Sequence, residues 1–332
     1  MLLAGDIGGT KTDLAIFSNE AGPQAPLAQF EAHSAEYSSL SALVAEFLAK
    51  TPRRVNRACF AVAGPVIGGR AKITNLPWVL DEVSLARELK LDAVHLMNDL
   101  EAIAQAIPLL RPGDVCALNA GQPASQGAIG VIAPGTGLGE SFLTWDGTHY
   151  AAHSSEGGHA DFAPTDESQI GLLRHLFERF DHVSVELVCS GTGIFHIYEY
   201  LRETRRLPET PELARSIASA KDPSAVIIAS AADANKPGEL CAATMDMFVS
   251  ILASEASNLA LKVLATGGVY LAGGIPMHIL KALQTPRFME SFKRKGRLSE
   301  LVERIPVHVV IVRAALLGAA ANGLEFFRNK AA

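Results

Sequence analysis

A glycine-rich turn near the start of the chain combines the groups that bind phosphate. This first glycine turn, Gly8-Gly9-Thr10-Lys11, follows Asp6 and a short apolar run. Glycine has no Cβ and tolerates positive φ, so the backbone N–H groups of such a turn can converge on an anion. The turn adds a hydroxyl and an ammonium group, and the Asp6 carboxylate could orient a hydrated Mg²⁺ ion. A nucleotide tail would suit this set, and the alternative left open is a tight hairpin with a solvated lysine.

Two more glycine-rich segments could approach a ligand closely. The second glycine turn, residues 134–139, lies between two predicted strands and offers further backbone amides. The third cluster, Gly267-Gly268 with Ala272-Gly273-Gly274, brackets a short apolar strand, where the backbone could approach a flat ring.

Neither of the two commonest phosphate motifs is present. A P-loop requires glycine immediately before Lys-Thr, where this chain has Thr10. A dinucleotide motif that starts at Gly135 fails because its last position is Glu140. Three glycine clusters in one acidic protein are nevertheless more than turns alone would explain.

Asn98 and Asp99 directly follow a buried strand. Their side chains should emerge at the carboxyl end of a sheet, where open α/β folds bind their ligands. A carboxylate at that place could act as a catalytic base. The alternative, which is compatible with this role, is that the pair caps the helix that begins at Leu100.

A carboxylate and an imidazole, Glu156 and His159, flank two glycines and could bind one polyol together. His159 could instead be a surface histidine, or a metal ligand with Glu156 and Asp161. A metal site is disfavoured, because these residues lack the HExxH spacing that places two histidines on one face of a helix and no cysteine is near. Glu186 lies in a semi-apolar segment and by itself predicts an exposed helix residue.

The elements that must position these residues alternate between strand and helix, which predicts an α/β fold. The 332 residues fit about two domains of roughly 150 residues each, and two domains imply a cleft. Pro112-Gly113 stops a helix and marks the first boundary. The second half opens with strand, glycine turn and strand, as the first does, so an internal duplication is plausible.

Composition excludes several classes of protein. Hydrophobic residues make up 48% and charged residues 19%, which is typical of a packed globular protein. The chain has 29 Lys and Arg against 35 Asp and Glu and no basic block, so we expect no nucleic-acid partner. The start lacks the positive region of a secretory signal, and the longest apolar runs are too short for a membrane helix. Four scattered cysteines predict reduced thiols in a cytoplasmic protein.

Seven sequence blocks, in order along nearly the whole chain, resemble the bacterial glucokinase family. The resemblance is to its ATP-dependent, zinc-free branch, within the actin-like sugar kinase superfamily. The blocks are LAGDIGGTKTDLAIF (3–17), FAVAGPV with ITNLPW (60–78), LMNDLEA (96–102), IAPGTGLGESFL (132–143), SSEGGHADFAP (154–164), VELVCSGTGI (185–194) and VYLAGGI (269–275).

The resemblance implies a two-domain actin-like ATPase fold of the ribonuclease H type, α/β in class, with an interdomain cleft. Residues 1–110 plus 301–332 would form a small domain and residues 111–300 a large one, each on a five-stranded sheet. Residues from Val307 onward would then pack with residues 1–110. One departure is Ala315, which replaces a glycine of the family at a hinge helix and could alter domain closure.

The resemblance also implies a reaction: transfer of the γ-phosphoryl group of ATP to the 6-hydroxyl of glucose, which yields glucose 6-phosphate and ADP. Asp99 would be the general base, and Asp6 would hold Mg²⁺ through water. The implied sugar-binding residues are Asn75, Asn98, Asp99, Gly137, Glu156, His159 and Glu186. The implied ATP-binding residues are Asp6, Ile7, Gly8, Gly9, Thr10, Lys11, Thr12, Gly135, Thr136, Gly137, Gly268, Gly273 and Gly274.

Three alternatives stay open. A kinase of another hexose or of an amino sugar would share the phosphate turns. A sugar-responsive transcriptional regulator would need a helix-turn-helix before the core, whereas this chain begins directly at the phosphate strand. An actin-type filament protein would leave Glu156, His159 and Glu186 unexplained. For partners, the resemblance implies glucose and ATP, no nucleic acid, no membrane and a homodimer.

Overall fold

The computed structural model describes residues 1–73, 76–205, 207–233 and 238–329. The chain divides into two compact units. Unit 1 comprises Met1–Arg111, Tyr150–Ala152 and Val312–Ala332, and unit 2 comprises Pro112–His149 and His153–Ile311. Both units combine strands and helices, so the predicted α/β class is confirmed.

The strands, in chain order, are β1 (Leu2–Ile7), β2 (Lys11–Phe17), β3 (Ala28–His33), β4 (Arg57–Val62), β5 (Arg70–Lys72), β6 (Val79–Asp81), β7 (Ala93–Asn98), β8 (Val115–Asn119), β9 (Ile129–Pro134), β10 (Leu138–Trp145), β11 (Tyr150–Ser155), β12 (Gly268–Leu271) and β13 (Val307–Val310). The helices are α1 (Leu40–Lys50), α2 (Glu82–Leu89), α3 (Asp99–Ala106), α4 (Glu167–Phe177), α5 (Gly191–Arg205), α6 (Pro211–Ser219), α7 (Pro223–Ala231), α8 (Glu239–Val263), α9 (Gly274–His278), α10 (Leu280–Leu283), α11 (Pro286–Lys293), α12 (Ser299–Glu303) and α13 (Ala314–Asn329).

The main sheet of unit 1 has the strand order β3-β2-β1-β4-β7. β2 is antiparallel to β1 and β3, whereas β1, β4 and β7 run parallel. β1 is apolar along most of its length because both faces of the sheet are covered. Leu3 and Ile7 pack into one apolar cluster, and Leu2 and Ala4 pack into another on the opposite face.

Small residues let α13 and α3 approach closely on one face of this sheet. Ala102 of α3 and Ala315 and Ala319 of α13 share a buried cluster with Leu2 and Ala4. A Cβ added at Gly318 would lie only 1.7 Å from the carbonyl oxygen of Ala102. Glycine is therefore required where the two helices cross.

The sheet of unit 2 has the order β11-β10-β9-β12-β13-β8. Its first five strands repeat the arrangement of unit 1, with β10 antiparallel to β9, and β9, β12 and β13 parallel. The resemblance implied five strands, and the sixth is β8, which pairs antiparallel with β13 at the edge. An internal duplication would produce this common order of five strands in the two units.

The position of β13 differs from the expectation that residues from Val307 onward pack with residues 1–110. β13 lies between β12 and β8 in the sheet of unit 2, because its backbone groups pair with both strands. Only the following helix, α13, belongs to unit 1.

α8 is the core helix of unit 2. It has 25 residues and is long and apolar enough to cross a membrane by length and composition, although 83% of its most apolar window is buried inside the protein. Residues such as Phe248, Leu252 and Ala256 pack within the main apolar cluster. The helix is apolar on most sides because other elements surround it.

Candidate active site

The first glycine turn joins β1 to β2, so the predicted hairpin is observed. The Gly8 N–H donates to the Lys11 carbonyl oxygen at 3.0 Å. A Cβ on Gly8 would lie 2.8 Å from that oxygen, so the turn needs glycine there. The Ile7 side chain is fully buried, which leaves only its backbone for a ligand.

Ser34 holds this turn in place through hydrogen bonds. The sequence did not indicate this role. The Ser34 hydroxyl donates to the Gly8 carbonyl oxygen at 2.7 Å and lies 3.0 Å from the Thr12 hydroxyl. Its N–H donates to the Thr10 carbonyl oxygen at 3.0 Å. The Thr12 side chain is fully buried and therefore holds the turn in shape, whereas Thr10 is exposed.

Lys11 lies in an ion network at the surface of unit 1. Its Nζ is 2.6 Å from a Glu31 carboxylate oxygen, and Arg313 Nη1 is 2.9 Å from the other. Arg313 also contacts Asp13. Lys11 and Glu31 are 40% and 50% exposed, and ion pairs this exposed contribute little to stability. Lys11 can therefore exchange Glu31 for a phosphate group at small cost.

Asp6 is the most perturbed carboxyl group near the turn. Burial, and then the Asp99 and Asp13 carboxylates, raise its pKa to about 7, and Arg313 opposes them. A divalent cation would relieve this repulsion. Mg²⁺ usually binds one or two carboxylates together with water and substrate phosphates. Although the described residues contain no cluster of three metal ligands, Asp6 fits such a site.

We expect Asp6→Asn to change how stability depends on pH. The unfolded chain loses the Asp6 proton near 3.8 and the folded chain near 7, so the folded state binds more protons between these values. The free energy of unfolding of the wild type should therefore fall as pH rises from about 4 to about 7. Without Mg²⁺ and nucleotide, Asp6→Asn should remove the part of this fall that Asp6 causes and leave the part that Glu140 causes. The variant should be more stable than the wild type above pH 7, by up to about 4 kcal/mol.

Urea unfolding at several pH values measures this difference. Asp92→Asn, at an exposed position of unit 1, removes the same charge and should keep the wild-type pH dependence. If Asp6→Asn and wild type lost stability in parallel over this range, the raised pKa of Asp6 would be refuted.

Asn98 and Asp99 lie where β7 ends and α3 begins, as the sequence indicated. The helix-cap alternative holds for Asn98, because its Oδ1 accepts the Leu100 N–H at 2.9 Å and the Glu101 N–H at 3.3 Å. Its Nδ2 donates to the Gly64 carbonyl oxygen at 3.0 Å. These contacts fix the backbone that carries the Asp99 side chain.

The Asp99 carboxyl group is a stronger base than an ordinary aspartate, because its pKa is raised. Burial raises its pKa, and hydrogen bonds from backbone N–H groups, first that of Leu100 at 2.9 Å, hold the rise in check. A general base acts best when its pKa approaches the working pH.

In unit 2, Glu186 binds the second glycine turn. Its Oε2 accepts the Leu138 N–H at 2.8 Å. A Cβ on Gly137 would lie 2.4 Å from the same oxygen, so glycine is required beside the carboxylate. The Gly135 N–H donates to the Gly137 carbonyl oxygen at 2.8 Å, which closes the turn, and Thr136 is exposed.

The segment that carries Glu156 and His159, here called the acidic turn (residues 156–159), packs against the same place. The Glu186 N–H donates to the Gly158 carbonyl oxygen at 2.9 Å, and the His159 N–H donates to the Glu156 carbonyl oxygen at 3.0 Å. Glu156 and His159 are exposed. Asp161, which the metal alternative included, lies 2.9 Å from His182. The structure thus brings together the second glycine turn, the acidic turn and Glu186.

The third glycine cluster is divided by the strand that it brackets. Gly273 lies beside the second glycine turn, because its Cβ would be 2.9 Å from the Pro134 carbonyl oxygen. Gly268 instead pairs with Ile129, where β9 starts, at the opposite end of β12. We therefore correct the grouping: Gly268 cannot share an adenosine site with Gly273 and Gly274. Asn75, predicted to bind sugar, lies outside the described residues.

Comparisons with known proteins agree with this arrangement. The family model named Glucokinase matches residues 3–325. The glucokinase of Nostoc punctiforme is 39% identical over 335 residues, which cover 96% of this chain and 98% of that protein. A solved glucokinase from an Antarctic psychrotroph is 31% identical with a TM-score of 0.82, over 98% of both chains. A solved ROK family glucokinase from Streptomyces griseus, in complex with glucose and AMPPNP, is 17% identical with a TM-score of 0.63, over 98% of this chain and 99% of that one.

Two units that share a five-strand order, each with a glycine turn between its central strand and the neighbouring antiparallel strand, define a sugar kinase of the actin-like ATPase fold. The family match covers nearly the whole chain. The chain belongs to the glucokinase family of ATP-dependent hexose kinases.

Proposed function

We propose that the protein transfers the γ-phosphoryl group of ATP to the 6-hydroxyl of glucose, giving glucose 6-phosphate and ADP. The observation that carries this proposal is the placement of two carboxyl groups in unit 1, Asp6 and Asp99, at the carboxyl ends of the parallel strands β1 and β7. Phosphoryl transfer needs one site for the cation that accompanies ATP and one base for the acceptor hydroxyl. The two carboxyl groups match these needs, and the reaction would supply glycolysis in the cytoplasm.

Asp99 is the proposed general base. It would accept the proton of the 6-hydroxyl as the oxygen attacks the γ-phosphorus, while Asn98 holds the backbone in place. When bound, Mg²⁺ would neutralise charge on the phosphate oxygens, with Asp6 holding it through water. Lys11 would add a second positive charge after leaving Glu31.

The proposed binding residues divide by chemistry. Glycine turns offer amides to phosphates, and carboxylate, imidazole and amide side chains recognise hydroxyl groups. For ATP we propose the backbone and side chains of Asp6, Ile7, Gly8, Gly9, Thr10, Lys11, Thr12, Gly135, Thr136, Gly137, Gly273 and Gly274. For glucose we propose Asn75, Asn98, Asp99, Gly137, Glu156, His159 and Glu186.

Recognition of one hexose epimer follows from several fixed polar groups. A buried polar group that the wrong epimer leaves unpaired costs about 1–3 kcal/mol. Through its contacts with Leu138 and Gly158, Glu186 joins the two segments that carry the other proposed sugar-binding residues of unit 2, which are Gly137, Glu156 and His159. We propose that units 1 and 2 act as the two functional domains, that the active protein is a homodimer, and that neither nucleic acid nor membrane is a partner.

We expect Gly137→Ala to raise the KM for glucose by at least about tenfold. The added methyl group would meet Glu186 Oε2 at 2.4 Å and displace the carboxylate from the Leu138 N–H. A loss of one charge-assisted hydrogen bond in a fixed site corresponds to about 1.5–3 kcal/mol. Steady-state kinetics at saturating Mg-ATP measure the change.

The control for this variant is Gly135→Ala in the same turn, because its added methyl group meets no atom within 4 Å. It should keep the glucose KM near that of the wild type. If Gly137→Ala and the wild type had equal KM values for glucose, Glu186 would not be a glucose-binding residue.

The function itself is tested with Mg-ATP and a panel of glucose, mannose, fructose and N-acetylglucosamine. ADP release should be fastest with glucose, as judged by kcat/KM. Absence of ADP release with glucose would overturn the assignment. A higher kcat/KM with another sugar of the panel would assign the kinase to that sugar instead.

A further inference from the structure

Glu140 is a buried carboxyl group that the proposed reaction does not use. It lies on β10, next to the second glycine turn, and its side chain is 1% exposed. Its Oε1 has no hydrogen-bond partner among the described residues. A buried polar atom without a hydrogen-bond partner costs free energy, so the presence of a glutamate at this position needs an explanation.

The Glu140 carboxyl group packs directly against the acidic turn. A Cβ on Gly157 would lie 2.1 Å from Glu140 Oε2 and 2.9 Å from its Cδ. Gly157 stands between Glu156 and the Gly158 carbonyl group that accepts the Glu186 N–H. Any displacement of the Glu140 carboxyl group would therefore move the backbone that presents Glu156 and His159.

The charges around Glu140 make its ionised form unfavourable. Glu255 of α8, which is 4% exposed, contributes a like charge from the helix above the sheet. Lys262, the cation that opposes this like charge, is 3.3 Å from a Glu255 carboxylate oxygen and forms an ion pair with it. Lys295, the other amine of this region, donates to Asn258 Oδ1 at 2.6 Å. Glu140 therefore faces a like charge without a hydrogen-bonded cation of its own.

We propose that Glu140 is a positioning residue for the acidic turn, and that its uncharged carboxyl group maintains the hexose-binding form of that turn. This inference rests on the proposed function. In the neutral form, the carboxyl group fits against Gly157 without strong repulsion from Glu255. Ionisation adds a buried, unpartnered charge that the protein can relieve by moving the acidic turn and admitting water.

The pH at which this change occurs lies in the physiological range. Burial, and then Glu255, raise the pKa of Glu140 to about 7, and Lys262 opposes them. Among the described residues, the Cys189 thiol is a further titratable group beside Glu140, and burial, Glu255 and Glu140 raise its pKa. Glu156 and His159 flank Gly157 in the acidic turn and are exposed. Since the binding form is the protonated one, hexose affinity should fall as pH rises through 7.

Glu140→Gln separates this role from a merely structural one, because glutamine keeps the shape and cannot ionise. For the wild type, the hexose KM should rise about tenfold between about pH 6 and about pH 8, because only the protonated fraction binds. In Glu140→Gln, the KM should change much less over the same range. The KM for ATP should follow the same pH profile in both proteins.

Glu255→Gln gives an independent readout of the same group. Removing the like charge should lower the pKa of Glu140, so the rise in hexose KM should shift to lower pH. The proposal is overturned if wild type and Glu140→Gln show the same pH profile of the hexose KM. It is equally overturned if Glu255→Gln leaves the midpoint of the wild-type profile in place.

Hydrogen exchange distinguishes failure of this proposal from failure of the proposed function. After correction for the intrinsic effect of pH, amides of residues 153–162 should exchange faster at about pH 8 than at about pH 6 in the wild type and equally in Glu140→Gln. If this difference appears and no hexose is phosphorylated, Glu140 still positions the turn and the proposed reaction is wrong. If exchange in the two proteins responds equally to pH, Glu140 does not position the turn.

Discussion

Asp99→Asn should lower kcat by about 10²- to 10⁴-fold while the KM for glucose stays within about twofold of the wild type. The amide keeps the size of the side chain and can accept the Leu100 N–H, so the start of α3 should keep its form. It cannot take the proton of the acceptor hydroxyl. The loss should therefore fall on the chemical step and leave ground-state binding nearly intact. Initial rates of ADP release at saturating glucose and Mg-ATP measure it.

Glu101→Gln is the matched control, because it removes the same charge from the first turn of the same helix. It should retain kcat within a small factor. Wild-type turnover in Asp99→Asn would remove Asp99 from its proposed role. A rise in glucose KM without a fall in kcat would make Asp99 a binding residue only.

Gly318→Ala should destabilise unit 1 by about 3 kcal/mol or more. At an exposed helix position, replacing glycine with alanine would gain about 1 kcal/mol. Here the added Cβ would lie 1.7 Å from the Ala102 carbonyl oxygen and 2.5 Å from its carbonyl carbon. These are backbone atoms, so no side-chain rotation relieves the overlap and α13 must move away from α3. Urea unfolding, followed by circular dichroism, measures the free energy.

The control for this substitution is Gly113→Ala. An added Cβ at that position meets no atom within 4 Å, so stability should change by less than about 1 kcal/mol. If Gly318→Ala unfolded at the same urea concentration as the wild type, the close crossing of α13 and α3 would be wrong.

Local pattern predicted the elements that carry the site in unit 1. The strand before Gly8 and the strand that leads to Asp99 could be predicted, because the burial of a strand and the type of a turn depend on residues that are neighbours in the sequence. The cap made by Asn98 follows for the same reason, since an Asn side chain reaches only the N–H groups of the next few residues.

Contacts across long sequence separations were not predictable in this way. Glu186 by itself indicated an exposed helix residue, and its hydrogen bond to Leu138 crosses 48 residues. Glu140 entered only as the residue that breaks a dinucleotide motif, because nothing in the local sequence marks it as buried against Gly157. Ser34 has no local signal either, since the Gly8 carbonyl group that it binds is 26 residues away.

Two errors have the same physical origin. Gly268 and Gly273 were grouped because they flank one strand, yet the two ends of a strand lie at opposite edges of a sheet. β13 was expected with unit 1 because the resemblance implies that the last helix returns there and the strand was grouped with that helix. Strand pairing depends on backbone partners and not on chain neighbours. Sequence order therefore identified the elements better than it identified their partners.

The helix that covers the first strand is translated long after that strand, because all of unit 2 lies between them in the sequence. Leu2 and Ala4 of β1 share their buried cluster with Ala319 and Ala320 of α13. While all of unit 2 is being translated, a nascent chain leaves this apolar side of the first sheet open to water or to a chaperone. Newly synthesised chains are therefore prone to aggregate until α13 emerges.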